Sequence, residues 1–167
     1  PAPVYGSQLQ TAALPAAKPE ADLIVEWTPV KETLADGTVV ELRKPVYRIE
    51  NPNYGPLPED LLVSPRVAPQ MIGMGLLEAI PIEDLQALQD TDDADGNGIS
   101  GKLNQVWDLA TEQTVPGRFG WKAAEPDVHQ QSMGAFAGDM GLTSTLKPKT
   151  DCMPEQNCER FTHGGEP

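Results

Sequence analysis

The chain has 167 residues, 39% of them hydrophobic and 5% aromatic, which is enough for one modest domain around a thin core. Against 12 Lys and Arg stand 25 Asp and Glu, a net charge of -13 that repels phosphate backbones and anionic lipid headgroups alike, so nucleic acid is excluded as a partner. The longest apolar run, 71–80, carries Glu78 and falls well short of the roughly 18 residues that span a bilayer, so no membrane insertion is expected.

The 17 prolines and 15 glycines interrupt the chain often, and the expected fold class is α+β, irregular and loop-rich, with one β-hairpin and several short helices. Residues 1–7 show neither a basic start nor an apolar signal core, so the terminus does not reveal localisation. The first 20 residues, with Pro1, Pro3, Pro15 and Pro19 around an Ala-rich stretch, read as an extended arm or a short helix pinned between prolines. Leu23, Val25 and Trp27 then alternate with Asp22, Ile24 and Glu26, and 39–49 repeats an extended pattern. The Asp36-Gly37 pair between these runs predicts a β-hairpin.

After a turn-rich connection at 51–56, residues 57–79 hold the densest apolar content. Met71, Met74, Gly75, Leu77 and Glu78 at three- and four-residue steps predict a buried helix stopped by Pro81, with Gly73 and Gly75 as close-packing positions. A second helix is expected over 82–88, opened by Pro81 with Glu83 and Asp84 in its first turn. Val106, Trp107 and Leu109 mark a short strand or irregular segment, and 126–136 is a further helix candidate. The resulting organisation is an arm over 1–20, a scaffold region over 21–150 and a C-terminal segment over 151–167. In the last segment Cys152 and Cys158, with five residues between them, suggest a disulfide in an oxidising compartment; free or other roles are the alternative.

The strongest local motif is Asp93-Ala94-Asp95-Gly96-Asn97-Gly98-Ile99. Asp93, Asp95 and Asn97 take the first, third and fifth places of an EF-hand-like loop, Gly98 the turn at the sixth, and Ile99 offers a carbonyl at the seventh. Alternate oxygens converging on one point suit a hard cation, and calcium is the expected ligand. The twelfth place is Asn104 rather than a bidentate Glu, so the EF-hand is incomplete, and Asp90 and Asp92 upstream are candidates for the missing carboxylate. The alternative is a merely solvated acidic turn.

No GxSxG, GxxxxGK or HExxH motif supports a hydrolase or kinase. His129 and His163 are the only histidines; a lone helix histidine such as His129 is more often a surface or hydrogen-bonded residue than a ligand. Trp121, beside Arg118 and Phe119, fits either a stacking or redox residue or a core aromatic with a partner for its indole N–H. Met71, Met74, Met133 and Met140 read as core packing, and as haem ligands only if a haem is present.

Five blocks, Ser64 to Pro69, Gly73 to Pro81, Asp92 to Gly101, Gly117 to Ala123 and Gly134 to Ser144, occur in order. With them the chain, from about Val4 onward, resembles the bacterial di-haem oxidoreductases, relatives of di-haem cytochrome c peroxidases. The resemblance implies a periplasmic or secreted protein with two c-type haems held by CxxCH motifs, peroxidase-like redox chemistry, a calcium ion near the inter-haem interface and a tryptophan that assists electron transfer, for which Trp121 is the candidate. No CxxCH occurs here, and covalent attachment requires it. The chain is therefore expected to be a fragment of a larger cytochrome-c-peroxidase-like protein, lying between the haem-binding regions and ending at a boundary in 163–167. Its cofactor would be calcium, with haem c only in the parent, and its partners the remaining haem domains and a small redox donor protein. The rival reading is a stand-alone secreted calcium-stabilised binding module.

Overall fold

The computed structural model describes residue 2 and residues 4–161, in two compact units, one built from the described residues up to 63 with 152–161 and the other from 64–151. The architecture is α+β and loop-rich, with two separate two-stranded sheets and three short α-helices. Among the described residues no helix is long and apolar enough to cross a membrane.

The first unit is dominated by the expected hairpin. Strand β1, Asp22–Thr33, pairs antiparallel with β2, Val39–Glu50. The turn closes as the Asp36-Gly37 pair predicts: Gly37 takes φ 85°, its N–H donates to the Leu34 carbonyl at 2.9 Å, and the Asp36 carboxylate accepts from the Thr38 N–H at 2.9 Å. The register sets Leu23 opposite Ile49, Val25 opposite Tyr47 and Trp27 opposite Pro45, so these six share one face of the ribbon. On the other face Arg48 grips Glu26 with two bonds of 2.7 and 2.8 Å and reaches Glu50 at 3.2 Å. That grip, by hydrogen bond and then by charge, holds the Glu26 carboxyl below its usual range. Arg43 lies 4.9 Å over the Trp27 ring. Neither face is covered: Trp27 on one stays 52% exposed and Val46 on the other 41%. Each strand also carries a proline within its length, Pro29 in β1 and Pro45 in β2.

The rest of this unit is held by polar contacts. Residues 4–20 form no helix, and the chain there runs through turns and bends. Tyr5 is buried and donates its hydroxyl hydrogen to the Gly55 carbonyl at 2.5 Å, while accepting from the Tyr54 N–H at 3.1 Å. Cys152 and Cys158 are joined in a disulfide, their Cα atoms 6.3 Å apart, around one 3₁₀ turn, Pro154–Gln156, and a second, Cys158–Arg160, starts where the ring ends.

In the second unit α1, Met74–Glu78, and α2, Ile82–Ala87, fall within or near their expected ranges. Neither buries a single residue, which corrects the buried helix expected from the 71–78 periodicity: Leu76 is 79% exposed because no second layer lies over it. Met71 and Met140 are likewise exposed, and of the four methionines assigned to the core only Met133 is buried. Gly73 and Gly75 have open space around them rather than close neighbours, and Gly73 instead supplies a left-handed start to α1. The short strand anticipated near Val106 is β3, Gln105–Asp108, but it belongs to a second hairpin with β4, Gln113–Pro116.

Helix α3, Val128–Met140, begins within the expected segment and runs a turn beyond it, to Gly141 in the left-handed region. Its N-terminus receives two carboxylates: Asp127 accepts from the Gln130 N–H at 2.6 Å and Glu78 from the Val128 N–H at 2.9 Å. It buries Met133 and Ala137, which with Phe119 make the small core of this unit. Gln130 ties α3 to the hairpin, donating to the Trp107 carbonyl at 3.0 Å and accepting from the Leu109 N–H at 2.8 Å.

Asp108 organises the β3–β4 turn. Its carboxylate accepts from the Thr111 hydroxyl at 2.7 Å and from the Ala110 N–H at 2.8 Å, and these bonds, the Thr111 hydroxyl first, hold its pKa below the ordinary aspartate value against an opposing effect of burial. Because the folded value lies below the unfolded one of about 3.9, Asp108 contributes stability above that pH and loses it as the pH falls through the depressed folded value. In an NMR titration Asp108 is expected to titrate below its unfolded value, and Thr111→Val to shift it upward and shrink the acid-induced loss of stability. A carboxyl titration unmoved by the substitution would contradict this account.

Candidate functional site

The acidic segment folds into a closed loop. Asp90 and Gly101 exchange two backbone bonds of 2.9 Å, and the Leu103 N–H adds a bond to the Gln89 side chain at 3.0 Å. Inside this closure the carboxylates of Asp90, Asp93 and Asp95 bring ligand oxygens within 4.8 Å of one another. Three like charges at that separation repel, and the loop offsets this by aiming amides at them. Asp90 accepts from Ala94 at 2.7 Å, Asp93 from Gly98 at 3.1 Å and Asp95 from Asn97 at 3.1 Å. Asn97 Oδ1 accepts from the Ile99 N–H at 2.7 Å. Gly98 takes φ 82°, a conformation costly for any residue with a Cβ, and so turns the chain back toward Asp93.

Of the six residues selected as ligands, Asp90, Asp93 and Asp95 cluster by their carboxylates, while Asp92 lies exposed outside that group. Asn97 is joined to Asp95 through its Nδ2 at 2.8 Å, and Ile99 stays in the loop with its side chain 71% exposed. Helix α2 precedes the loop and β3 follows it, so the second helix of an EF-hand is missing.

Asn104, the would-be twelfth ligand, serves a different segment. Its Nδ2 donates to the carbonyls of Lys122 and Ala123 at 3.2 and 3.1 Å, and its own carbonyl accepts from the Gly117 N–H at 2.9 Å. Residues 117–125 are thereby folded into a tight turn, closed by bonds of 2.8 to 3.2 Å that link Arg118 and Phe119 with Glu125. Gly117 sits so close to the opposite side of this turn that a Cβ there would overlap the Ala123 carbonyl. The turn presents Trp121, 61% exposed rather than part of the core, with its indole N–H donating to the Val67 carbonyl at 3.1 Å. Beside it lies a shallow cleft of about 420 Å³ lined by Val67, Ala68, Pro69, Gln70, Gly120 and Trp121. His129 is exposed on α3, and His163 lies outside the described residues.

Residues 12–160 match the family model described as "Di-haem oxidoreductase, putative peroxidase". The chain belongs to the di-haem oxidoreductase family. No curated protein and no solved structure matches it. Covalent attachment of a c-type haem needs two thiols followed by a histidine. In this di-haem oxidoreductase chain Cys152 and Cys158 are bonded to each other and no other cysteine is present. The described residues therefore do not fit a covalent haem.

Sequence reasoning missed Gly117 and Asn104, whose roles arise from a contact between segments that local spacing does not show. Gly117→Ala is expected to destabilise the protein on the order of 1–3 kcal/mol through forced displacement of the 117–123 turn. Chemical denaturation measures the loss, and a variant as stable as the parent would show that the turn relaxes freely.

Proposed function

We propose that this chain is a scaffold carrying a calcium site, that it lies between the haem-bearing regions of an exported di-haem oxidoreductase, and that the whole protein performs peroxidase-like redox chemistry. The scaffold part rests chiefly on the burial pattern. α1 and α2 bury no residue, both faces of the β1–β2 ribbon are open, and Ile72, Leu76, Leu88 and Trp27 stand in contact with solvent. Apolar exposure on this scale marks surfaces made to be covered, and the remaining haem domains of the same protein are the covering partner that its family supplies. The disulfide supports an oxidising compartment, hence export to the periplasm or beyond. Trp121, with its ring exposed and its N–H anchored, is the side chain assigned to stacking or electron transfer at the covered surface.

Calcium is assigned to the 90–101 loop. Asp90, Asp93 and Asp95 supply three carboxylates, and Asn97 Oδ1 and the Ile99 carbonyl add two neutral oxygens, a donor set of hard oxygens suited to that ion. Asp92 remains a candidate ligand that would require the loop to close around the ion. When bound, the cation neutralises the mutual repulsion of the carboxylates and stiffens the segment between α2 and β3.

Two outcomes follow. With a Kd of about 10⁻⁴ M, in the range of extracellular modules, roughly 10 mM calcium should stabilise the protein by about 2.7 kcal/mol over a chelator control. Asp93→Asn and Asp95→Asn together should abolish the difference; denaturation midpoints indifferent to calcium would remove the site. Produced in cells that mature c-type cytochromes, the chain should carry no covalent haem, and a haem-stained band on a denaturing gel would overturn the scaffold reading.

A further inference from the structure

We propose that the Cys152–Cys158 disulfide is a thiol-exchange site that latches the N-terminal arm: closing the bond seats Gln156 among residues of the arm, and opening it by a thiol reductant releases them. The ring closed by the disulfide holds only residues 153–157, and its 3₁₀ turn, Pro154–Gln156, directs Gln156 inward. Gln156 is 7% exposed. Its Oε1 accepts from the Met153 N–H at 3.0 Å within the ring. Its Nε2 donates to the Val4 carbonyl at 3.2 Å and to the carboxylate of Glu20. One side chain thus joins the ring to positions 152 and 136 residues away in sequence.

Glu20 makes this contact consequential. It is 5% exposed, and among the described residues no cation forms an ion pair with it. A buried carboxylate without a cation depends on its hydrogen-bond donors, and those described are Gln156 Nε2 and the Gln10 N–H, at 2.7 Å from its second oxygen. The backbone repeats the pattern: the Glu20 N–H donates to the Gln10 carbonyl at 2.8 Å and the Asn53 N–H to the Glu20 carbonyl at 2.9 Å. Withdrawal of Gln156 leaves the carboxylate short of a donor, and water takes the place of the amide.

The bond is open to attack, because Cys158 is exposed and Cys152 half-buried. A dithiol reductant attacks one sulfur as its thiolate, the Cys152–Cys158 bond breaks through a mixed disulfide, and the second reductant thiol resolves it. Two electrons pass to the protein, both cysteines end as protonated thiols, and the reductant becomes a disulfide. The five residues between the cysteines then recover the freedom that ring closure removed, and a single 3₁₀ turn is too short to keep Gln156 in place. Tyr5 remains as a second anchor through Gly55 and Tyr54, so the arm loosens without leaving the unit.

The test is hydrogen exchange on the whole chain, oxidised and after dithiothreitol. Reduction should speed exchange at Gln10, Glu20 and Asn53 about tenfold or more while the β1–β2 amides keep their protection, as local opening requires. Gln156→Ala with the disulfide intact should produce the same pattern. Unchanged exchange on reduction would overturn the latch. So would loss of protection throughout the hairpin, which would mean that the bond holds the whole unit rather than the arm, and so would an arm still protected in Gln156→Ala.

Discussion

A short helix such as α1 leaves most of its last carbonyl oxygens without an amide four residues on, and in the second unit a single guanidinium gathers carbonyls at and just after its end. Arg118 Nη1 lies 3.3, 2.9 and 2.6 Å from the carbonyls of Leu77, Glu78 and Ile80 and shares its two hydrogens among them, placing a positive charge where the helix dipole is negative. Residues on both sides of that contact are then committed. Glu78, fixed at the end of α1, turns its carboxylate to the first amide of α3. Arg118 itself belongs to the turn that Asn104 and Gly117 close, so the helix end, the start of α3 and the Trp121 turn share one point of attachment. With so little apolar burial in the unit, directional polar bonds of this kind set its geometry.

The balance between polar and apolar cohesion explains what the sequence made legible. Alternation over 22–27, the Asp36-Gly37 pair and a second extended run specify a hairpin locally, and the hairpin formed with the turn where that pair stands. Asp127 and the apolar positions after it mark the start of α3 for the same reason. Burial was misjudged because it is a property of two surfaces: the 71–78 periodicity describes an apolar face but not whether anything lies against it. The glycines show the same division. Gly73 and Gly75 look like packing positions from their place in an apolar run, yet the close approach is at Gly117, and only the fold of 117–123 back on itself reveals it.

Within the acidic loop, steps of two single out Asp93, Asp95 and Asn97, since alternation is a local signal. Spacing offered no means of choosing between Asp90 and Asp92. The two differ only in the fold, where the antiparallel bridge to Gly101 brings the Asp90 carboxylate beside those of Asp93 and Asp95 and gives it the Ala94 amide. Glu20 and Gln156 lay beyond sequence reasoning altogether. A buried glutamate joined to neutral donors far along the chain has no periodicity and no charged partner to advertise it.

The prolines inside the β1–β2 ribbon bear on how it can meet anything else. A two-stranded ribbon has two bare margins, each a row of amides and carbonyls that another strand could extend. Pro29 interrupts one margin and Pro45 the other, and at both places the donor that a third strand would need is missing. Sideways growth of the sheet thereby loses a donor part-way along each margin, in a chain whose long, uncovered strands would otherwise offer unbroken ones. The broad side of the ribbon, where Leu23, Val25, Trp27, Tyr47 and Ile49 lie together, carries no such interruption. Pairing by added strands is thus what this ribbon opposes, and its apolar breadth is what it leaves open.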